Sequence, residues 1–396
     1  MEYMAKNIPL WQITTWDKNF NNVDKEWQPK TIKYKYLLSD ELDSLRVDDG
    51  DIRILYTGKD VGYTTEELAG DNISEGEVVS IPWGGIPTVK YHKGKFVTGD
   101  NRIATSNDTS KLTNKYLYYY LQGNIGEIAS YYRGASLKHP CMKDVLKMTI
   151  SYPSVQEQEK ICSQFDMLEW LIEARKQELQ LLDDLIKARF VELFGNPVLN
   201  EKGWESNLLA QLTLKIGSGA TPKGGREAYQ EEGIALIRSM NVYNGKFEYK
   251  DLAHISDEQA AKLDNVIIKE SDVLLNITGA SVARSCVVPN QILPARVNQH
   301  VCIIRCKECI EPIFLNRLLI DDNYQKLLWE IAGSGATREA ITKQQVERLK
   351  IILPPIELQN QFAAFVAQVH KSKVAVQKAL DETQTLFDSL MQEYFG

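Results

Sequence analysis

Residues 153–195 read PSVQEQEKICSQFDMLEWLIEARKQELQLLDDLIKARFVELFG, and residues 354–396 read PPIELQNQFAAFVAQVHKSKVAVQKALDETQTLFDSLMQEYFG. Adding 201 to each number in the first segment aligns it with the second without a gap, so that Gln158 falls on Gln359 and Gly195 on Gly396. A period this long indicates a duplicated unit, a domain followed by a helix, and not a short solenoid repeat.

Each copy has the pattern of one long helix, opened by proline and closed by glycine. Apolar residues follow alternating steps of four and three, which is typical of coiled-coil packing. Arg175, Lys373 and Thr383 interrupt the two stripes, and such polar residues can set the register of a helix pair. The stripes continue to Leu193 and Tyr394. The residues predicted to pair the helices are Ile161, Phe165, Leu168, Ile172, Leu179, Leu182 and Ile186 in the first copy, and Phe362, Val366, Val369, Val376, Leu380, Phe387 and Leu390 in the second.

The alternative is that each helix is amphipathic and buried separately in its own core, although single globular domains seldom need helices this long. We predict an α/β fold in which two mixed α/β domains are separated by an antiparallel two-helix coiled coil. The expected domains are residues 1–152 (the first head), the helix 153–196, residues 197–352 (the second head) and the helix 353–396. About 39 residues at 1.5 Å rise give a helix roughly 58 Å long, with pseudo-two-fold symmetry between the copies.

The heads end alike and differ in the middle. Gly134, Ala135, Val145 and Ile150 have counterparts of the same type 201 positions later. In the first head, residues 76–105 predict a strand, a glycine turn and then hairpin strands around 92–94. In the second head, a turn is expected at Thr278 and Gly279.

The formal net charge is −7, and it is concentrated on the helices: residues 153–196 carry five basic and nine acidic side chains. The heads are close to neutral, which permits local basic patches for nucleic acid. The chain lacks an apolar run of 18 residues and a signal-like start, so a cytoplasmic protein without a membrane segment is expected.

Catalytic and metal-binding patterns are missing. Cys302, Cys306 and Cys309 are not followed by a second Cys or His pair, and VCIIRC alternates like a strand, so no metal site is expected. The loop 217–226, GSGATPKGGR, lacks the spacing of a phosphate-binding loop. Neither a methyl-donor site nor a nucleophile motif is present, and the pattern is typical of a binding and scaffolding protein.

The duplicated helices ending VELFG and QEYFG, the stretch 270–306 (ESDVLLNITGASVARSCVVPNQILPARVNQHVCIIRC) and the loop GSGATPKGG resemble the specificity subunit of type I DNA restriction–modification systems. The similarity covers residues 153–195 and 197–396, and the first head fits by its position and its ending. The resemblance implies a protein that is not itself catalytic and that reads a bipartite double-stranded DNA target, one half per head, with an unread spacer between. Changing the helix length should change that spacer.

The resemblance also implies partners. Two adenine-specific DNA methyltransferase subunits would bind the helices, and ATP-dependent restriction (endonuclease) subunits would join this core. The chain would then hold no cofactor of its own, because S-adenosylmethionine, ATP and Mg²⁺ would be bound by the partner subunits.

Base reading calls for Arg, Lys, Asn, Gln, Ser or Thr on loops that reach the major groove. A plain surface or folding role is the alternative for each such residue, and for Asn298 and Gln299 it is preferred. The candidates are Thr14, Tyr56, Thr57, Trp83, Arg102, Arg133 and Lys138 in the first head, and Ser218, Thr221, Lys223, Arg226, Arg238, Asn241, Thr278, Ser281 and Arg338 in the second.

Two other functions are compatible with parts of the sequence. A coiled-coil adaptor whose heads bind proteins would need no DNA-reading loops, and a self-contained nuclease or methyltransferase would need catalytic motifs. Duplex binding distinguishes the first, and turnover by the isolated chain distinguishes the second.

Overall fold

The computed structural model describes residues 5–17, 33–58, 61–221, 225–333 and 339–396, with the backbone alone for residues 5, 6, 226 and 228. The chain divides into two compact units, one formed by Met1–Lys176 with Lys378–Gly396 and the other by Gln177–Gln377. The boundaries pass through both long helices, so each unit contains part of each helix.

The first head and the helix that follows it contain these elements in chain order: β1 (Ala5–Pro9), α1 (Leu10–Ile13), β2 (Thr14–Trp16), α2 (Ser39–Leu45), β3 (Ile52–Leu55), β4 (Gly62–Thr64), α3 (Glu66–Ala69), β5 (Ser74–Pro82), β6 (Lys90–Thr98), β7 (Asn101–Ser106), α4 (Asn114–Gly123), α5 (Ile125–Ser130), β8 (Tyr132–Arg133), β9 (His139–Pro140), α6 (Met142–Val145), β10 (Thr149–Tyr152) and α7 (Val155–Phe194).

The second head and its helix contain β11 (Ser206–Leu208), α8 (Leu209–Leu212), β12 (Thr213–Ser218), β13 (Ile234–Ile237), β14 (Val242–Tyr243), β15 (Lys246–Phe247), β16 (Ala253–Ile255), α9 (Asp257–Ala261), β17 (Val273–Asn276), β18 (Ser285–Val287), β19 (Ala295–Val297), β20 (Val301–Cys306), α10 (Pro312–Leu319), α11 (Asp322–Gly333), α12 (Lys343–Glu347), β21 (Lys350–Ile352) and α13 (Ile356–Phe395).

Each head has its own sheet, and the two sheets share a strand order. In the first head a six-stranded sheet has the order β2-β7-β5-β6-β3-β4, with β3 parallel to β6. In the second head a four-stranded antiparallel sheet has the order β12-β20-β17-β18, which corresponds to the first four strands of that sheet. A separate three-stranded sheet, β16-β13-β19, completes the second head, with β13 parallel to β19. The heads therefore repeat one plan and differ beyond its fourth strand.

In each head the first strand pairs with the last. β1 runs antiparallel to β10, with Ile8 opposite Ile150, and β11 runs antiparallel to β21, with Asn207 opposite Ile351. This pairing brings the start of each head next to the start of the long helix that leaves it.

The long helices are antiparallel within each unit. In the first unit the Phe165 ring lies 5.4 Å from the Phe387 ring, and Arg175 donates a hydrogen bond to the carbonyl of Ala379 at 2.5 Å. In the second unit the Phe194 ring lies 5.5 Å from the Phe362 ring. The predicted fold class, mixed α/β with two paired long helices, is confirmed.

The stripe residues are most deeply buried away from the middle of each helix. Polar partners fill the middle, where Lys373 forms an ion pair with Asp183 at 2.6 Å. Buried stripe residues are Ile161, Phe165, Leu168, Ile172 and Ile186 in α7, and Phe362, Val366, Val369 and Phe387 in α13. Half-buried ones are Leu179, Leu182, Val376, Leu380 and Leu390.

The stripe prediction is wrong at the last turn of α13 and incomplete at the last turn of α7, where Leu193 packs against the core but a neighbouring residue is buried more deeply. Phe194 and Phe395 are buried there, whereas Leu193 is half-buried and Tyr394 is exposed. A straight helix has 3.6 residues per turn, so its buried face drifts from a seven-residue repeat. The drift turns the last phenylalanine of each long helix toward the head that lies in the same unit, since Phe194 of α7 packs on Phe314 of α10 at 4.7 Å between ring centroids.

The hairpin expected around residues 92–94 is also wrong. β6 runs unbroken through this region, with Lys93 opposite Glu77 and Gly94 opposite Gly76 of β5. The chain reverses instead at residues 83–89, between β5 and β6. Gly94 favoured a turn because glycine is common in turns, but here it lies within a strand with φ of 125°.

Candidate nucleic-acid interface

The first head has a cleft of about 640 Å³ beside the loop that follows β5. The loops 83–89, 56–58, 99–100 and 134–138 and the start of α2 surround it. The side chains that line this cleft, here called cleft 1, belong to Leu37, Leu38, Ser39, Leu42, Thr57, Trp83, Ile86, Thr88, Asp100, Leu137 and His139.

Trp83 is fixed at the wall of cleft 1. The Arg102 guanidinium lies 3.7 Å from the centroid of its ring, and its backbone carbonyl accepts a hydrogen bond from Nδ1 of His139 at 2.6 Å. Arg102 is in turn paired with Asp100 at 2.9 Å. Below them the hydroxyl of Tyr132 donates to the carbonyl of Pro82 at 2.7 Å, and burial raises the pKa of this tyrosine.

The second head has a cleft of about 910 Å³ beside the loop that follows β17. Polar side chains dominate its lining, and Arg284 lies 4.6 Å from the centroid of the Tyr243 ring. The side chains of this cleft, here called cleft 2, belong to Ser239, Met240, Tyr243, Thr278, Ala280, Ser281, Arg284, His300, Glu339 and Ala340.

The loop after β17 is held by the segment that precedes α12. The backbone N–H of Gly279 donates to the carbonyl of Glu339 at 3.0 Å, and Thr278 forms a bridge with Ala340. The Thr278 hydroxyl is also hydrogen-bonded to Nδ1 of His300. The first head has a similar contact. His139, which precedes α6, is hydrogen-bonded to the backbone carbonyl of Trp83, which follows β5.

The two clefts therefore occupy the same place in the shared plan. Each lies beside the loop after the third strand of the common sheet, and each is closed by the segment before the short helix that ends the head. The loop sequences differ, WGGIPT at 83–88 against ITGASVAR at 277–284. Two equivalent clefts with different side chains are suited to two domains that bind different ligands of the same chemical class.

Two glycines hold loops at close approach near these clefts. A Cβ on Gly134 would lie 2.2 Å from the carbonyl oxygen of Leu137, and a Cβ on Gly219 would lie 1.7 Å from the carbonyl oxygen of Val297. Neither position can accept a side chain without movement of the backbone. Gly219 belongs to the GSGATPKGG loop and has a folding role there.

Four of the predicted base-reading residues line the clefts: Thr57 and Trp83 in cleft 1, and Thr278 and Ser281 in cleft 2. Arg133 is exposed and paired with Asp144 at 2.8 Å. Lys138 is exposed at the rim of cleft 1, between two lining residues.

The structure contradicts the prediction for Thr14 and Asn241. Thr14 is 4% exposed, and its hydroxyl donates to the carbonyl of Leu10 at 2.5 Å. The corresponding Thr213 makes the same bond within the second head. Asn241 is fully buried, and its amide donates to the carbonyl of Glu248 at 2.9 Å. Both side chains stabilise turns and cannot reach a base.

Tyr56 and Arg102 are buried as well, at 7% and 3% exposure. Arg102 supports Trp83 from inside and does not present its guanidinium to a ligand. Base contact was predicted for both residues from their side-chain type. Both predictions are wrong, because the sheet turns the two side chains inward.

Three other predicted residues of the second head are described and do not line cleft 2. Ser218 is half-buried at the end of β12. The exposed Thr221 donates to the side chain of Gln299. Arg238 donates to the carbonyl of Asp251 and lies 5.3 Å from the centroid of the Tyr229 ring. Lys223, Arg338 and the side chain of Arg226 lie outside what the structure describes.

Several lining residues were missed by the sequence reading. Ile86 and Leu137 were not considered because apolar side chains do not hydrogen-bond bases, and Arg284, His300 and Glu339 have no local pattern that marks them. Their position in the duplication could have indicated them. Leu137 and Glu339 lie near the end of each head, where the two copies have similar sequences.

Neither a metal site nor a membrane helix emerges from the described residues. Among them no group of three or more His, Cys, Asp or Glu side chains is placed to hold a metal ion. None of their helices combines the length and the apolar character needed to cross a membrane.

Comparison with known proteins bears on the clefts. Residues 32–183 and 201–383 both match the model of the type I restriction modification DNA specificity domain. The chain belongs to this family. The two matches include both clefts and most of both helices, so this specificity protein contains two copies of the family's domain.

Curated relatives agree with this assignment. The EcoBI specificity subunit of Escherichia coli is 20% identical over 310 residues, which are 71% of this chain and 64% of the relative. The matched region thus spans less than two thirds of that protein. The MjaIX specificity subunit of Methanocaldococcus jannaschii is 25% identical over 308 residues, covering 71% of this chain and 68% of the relative. The adaptor interpretation receives no support from these matches.

Solved structures share the fold. The S subunit of a type I restriction–modification system from M. genitalium matches 100% of this chain and 96% of its own, with a TM-score of 0.64 and 15% identity. A structure concerned with complex assembly and conformational transition of the type I system matches 99% of this chain and 97% of its own, with a TM-score of 0.55 and 17% identity.

Proposed function

We propose that this specificity protein reads a bipartite DNA target with its two clefts, one half-site per head, and leaves unread base pairs between them. The observation that carries the proposal is the pair of clefts at one position of a duplicated plan, with unlike linings. Hydroxyl, guanidinium and imidazole groups such as those of Ser281, Arg284 and His300 are suited to the edges of bases.

The exposed faces of α7 and α13 are the proposed binding sites for two DNA methyltransferase subunits, which restriction subunits would join. The helical segments carry most of the net negative charge, which is unfavourable against phosphates and compatible with a protein surface. Trp170 and Leu181 of α7 and Val374 of α13 are 64%, 66% and 70% exposed. Large apolar side chains left in water on a helix pair favour a protein partner.

The chain's own role in this proposal is the choice of target in the cytoplasm, without catalysis. S-adenosylmethionine, ATP and Mg²⁺ would be bound by the methyltransferase and restriction subunits. Adenine methylation and ATP-dependent cleavage would then be activities of the assembled complex.

Selection of bound sequences from a library of random DNA duplexes tests the proposal, with the full chain as the binding protein. The expected result is an enriched motif of two short specified elements separated by a fixed number of unspecified base pairs. Enrichment of one continuous element, or of none, would contradict it.

Substitution in cleft 2 locates one half-site. Arg284→Ala should relax one position of one element by about tenfold or more, since a good base contact is worth about 1–3 kcal/mol of discrimination. Arg348, exposed in the same head but outside the cleft, provides the matched control, and Arg348→Ala should leave the motif unchanged. An effect of Arg284→Ala on both elements would exclude the assignment of one cleft to one half-site.

A further inference from the structure

We infer that the first head recognises thymine through its 5-methyl group, by contact with an apolar rim on cleft 1 formed by Leu38, Ile86 and Leu137. This inference rests on the proposed function, because it assigns a readout chemistry to one of the two clefts. The second head, whose cleft is lined mainly by residues with polar groups, serves as the comparison.

The rim is unusual in its exposure. Leu38, Ile86 and Leu137 are 74%, 73% and 54% exposed, and all three line the same cleft. They come from three separate segments of the chain. Single exposed apolar side chains are ordinary, but a cluster of large ones around a concave surface marks a binding site for apolar groups.

The rim is also held in place. A Cβ on Gly84 would lie 3.3 Å from Cδ2 of Leu137, so the loop that carries Ile86 lies directly against Leu137. Trp83, at the start of that loop, is fixed by Arg102 and His139. Apolar contact with a methyl group requires this kind of positioned surface, because dispersion attraction falls off within an ångström of optimal contact.

Thymine is the base that fits. Each base pair presents donors and acceptors in the major groove, and the thymine 5-methyl is the apolar group on that edge. Lys138, exposed between two residues of cleft 1, supplies a positive charge for a nearby phosphate. Three exposed aliphatic side chains distinguish cleft 1 from cleft 2, whose large apolar residues are Met240 and Tyr243, each 42% exposed.

Cleft 2 provides the internal comparison. Its described lining lacks large aliphatic side chains other than Met240, and it contributes the hydroxyls of Ser239, Thr278 and Ser281 together with Arg284 and His300. These groups read hydrogen-bonding atoms, which are unaffected by removal of a methyl group from thymine. The two half-sites should therefore respond differently to one chemical change in the DNA.

The test uses two random duplex libraries that differ in one atom group: the first contains thymine, and the second contains deoxyuridine, which pairs with adenine but lacks the 5-methyl. The full chain selects from both. The half-site that Arg284→Ala leaves unchanged is assigned to the first head. With thymine, this half-site should specify at least one A·T pair, and with deoxyuridine its preference should fall by about fourfold per methyl group. The other half-site should remain unchanged.

A double substitution attributes the effect to the rim. Ile86→Ser with Leu137→Ser should bind thymine and deoxyuridine versions of the selected duplex equally, while the second half-site is still specified, which shows that the protein remains folded. The control is Leu68→Ser, at a leucine of α3 that is 47% exposed and does not line the cleft, and it should keep the thymine preference.

The outcomes separate the two proposals. Equal enrichment of the first half-site from both libraries, or a thymine preference that survives the double substitution, overturns the thymine inference and leaves bipartite reading intact. Failure of both libraries to yield any motif overturns the proposed function itself.

Discussion

Gln158 and Gln359 are fully buried at matching positions of the duplication. The amide oxygen of Gln158 accepts from the backbone N–H of Thr113 at 2.9 Å, and its nitrogen donates to the carbonyl of Lys111 at 2.7 Å. Thr113 is the N-cap of α4. One side chain thus ties the start of a long helix to the start of a helix in its head.

The second copy repeats this arrangement. Gln359 accepts from the backbone N–H of Glu311 at 2.9 Å and donates to the carbonyl of Pro354 at 2.7 Å. Glu311 is the N-cap of α10. Sequence alignment of the two copies identified both glutamines as equivalent, but their role became evident only from their burial and partners.

Gln158→Ala should lower the free energy of unfolding by about 3 kcal/mol, because it leaves buried backbone groups without partners at about 1–3 kcal/mol each. Urea denaturation measures the change. Gln156→Ala, at an exposed position of the same helix, is the control and should change the value by less than about 0.5 kcal/mol. Equal effects of the two substitutions would refute the role of Gln158.

Glu169 of α7 makes stability depend on pH. Burial raises the pKa of its carboxyl above the ordinary value of 4.5, and hydrogen bonds from Tyr118 and Tyr119, at 3.2 and 3.3 Å, oppose the rise in part. The folded protein therefore binds this proton more tightly than the unfolded chain does. Its contribution to stability is fully present below pH 4.5 and is lost as pH rises through the folded pKa.

Glu169→Gln removes this titration. The variant should gain stability relative to the native protein as pH increases above 4.5, and the gain should become constant above the folded pKa of Glu169. Urea midpoints of both proteins, measured at intervals from about pH 4 to pH 8, give the difference. A difference that does not vary with pH, or that shrinks as pH rises, is incompatible with a raised pKa.

Residues that line the clefts could be predicted in part by side-chain type but not by orientation. Thr57, Trp83, Thr278 and Ser281 were chosen for their chemistry and line the clefts. Asn241 was chosen on the same grounds and is fully buried. Which face of a turn a side chain occupies depends on pairing between distant strands, and local sequence carries no record of that pairing.

At the scale of elements, the end of each long helix belongs to a head as much as to the helix pair. Phe395 is 6% exposed, and its ring lies 5.2 Å from Tyr116 of α4 and 5.7 Å from Phe165 of α7. Asn124 also donates to its backbone carbonyl at 3.0 Å. The last turn of α13 is therefore part of the core of the first unit.

Phe395→Ala should destabilise the protein by about 3–5 kcal/mol, as removal of a buried ring usually does. Tyr394→Ala, at the neighbouring aromatic residue that the heptad pattern favoured, should cost about 1 kcal/mol or less, because Tyr394 is 36% exposed. Thermal or urea unfolding of the two variants ranks them. Greater destabilisation by Tyr394→Ala than by Phe395→Ala would instead support the strict heptad pattern.

Long elements were predictable and short ones were not. The helices were expected at 153–196 and 353–396 and are observed at Val155–Phe194 and Ile356–Phe395, since many turns contribute to their periodicity. The hairpin near His92 was misplaced, because a single glycine in the sequence outweighed a weak alternating pattern. The parallel pairs β3–β6 and β13–β19 join distant segments and leave no local signal.

At the scale of the whole molecule, one duplicated plan carries two different clefts. The common strands, the paired first and last strands and the clamping glutamines are the same in both copies, whereas the loops after β5 and β17 differ. Duplication keeps the framework and frees the loops to diverge. Target choice should therefore be modular, with each head contributing its own half.

Exchange of residues 1–152 for the first head of another family member tests this modularity most directly. The chimaera and the native chain are each produced in the native cell with their modification subunits, and methylated sites are mapped by single-molecule sequencing. One half of the methylated motif should change, while the other half and the number of unread base pairs stay the same. A chimaera in which both halves change, or neither does, contradicts the account.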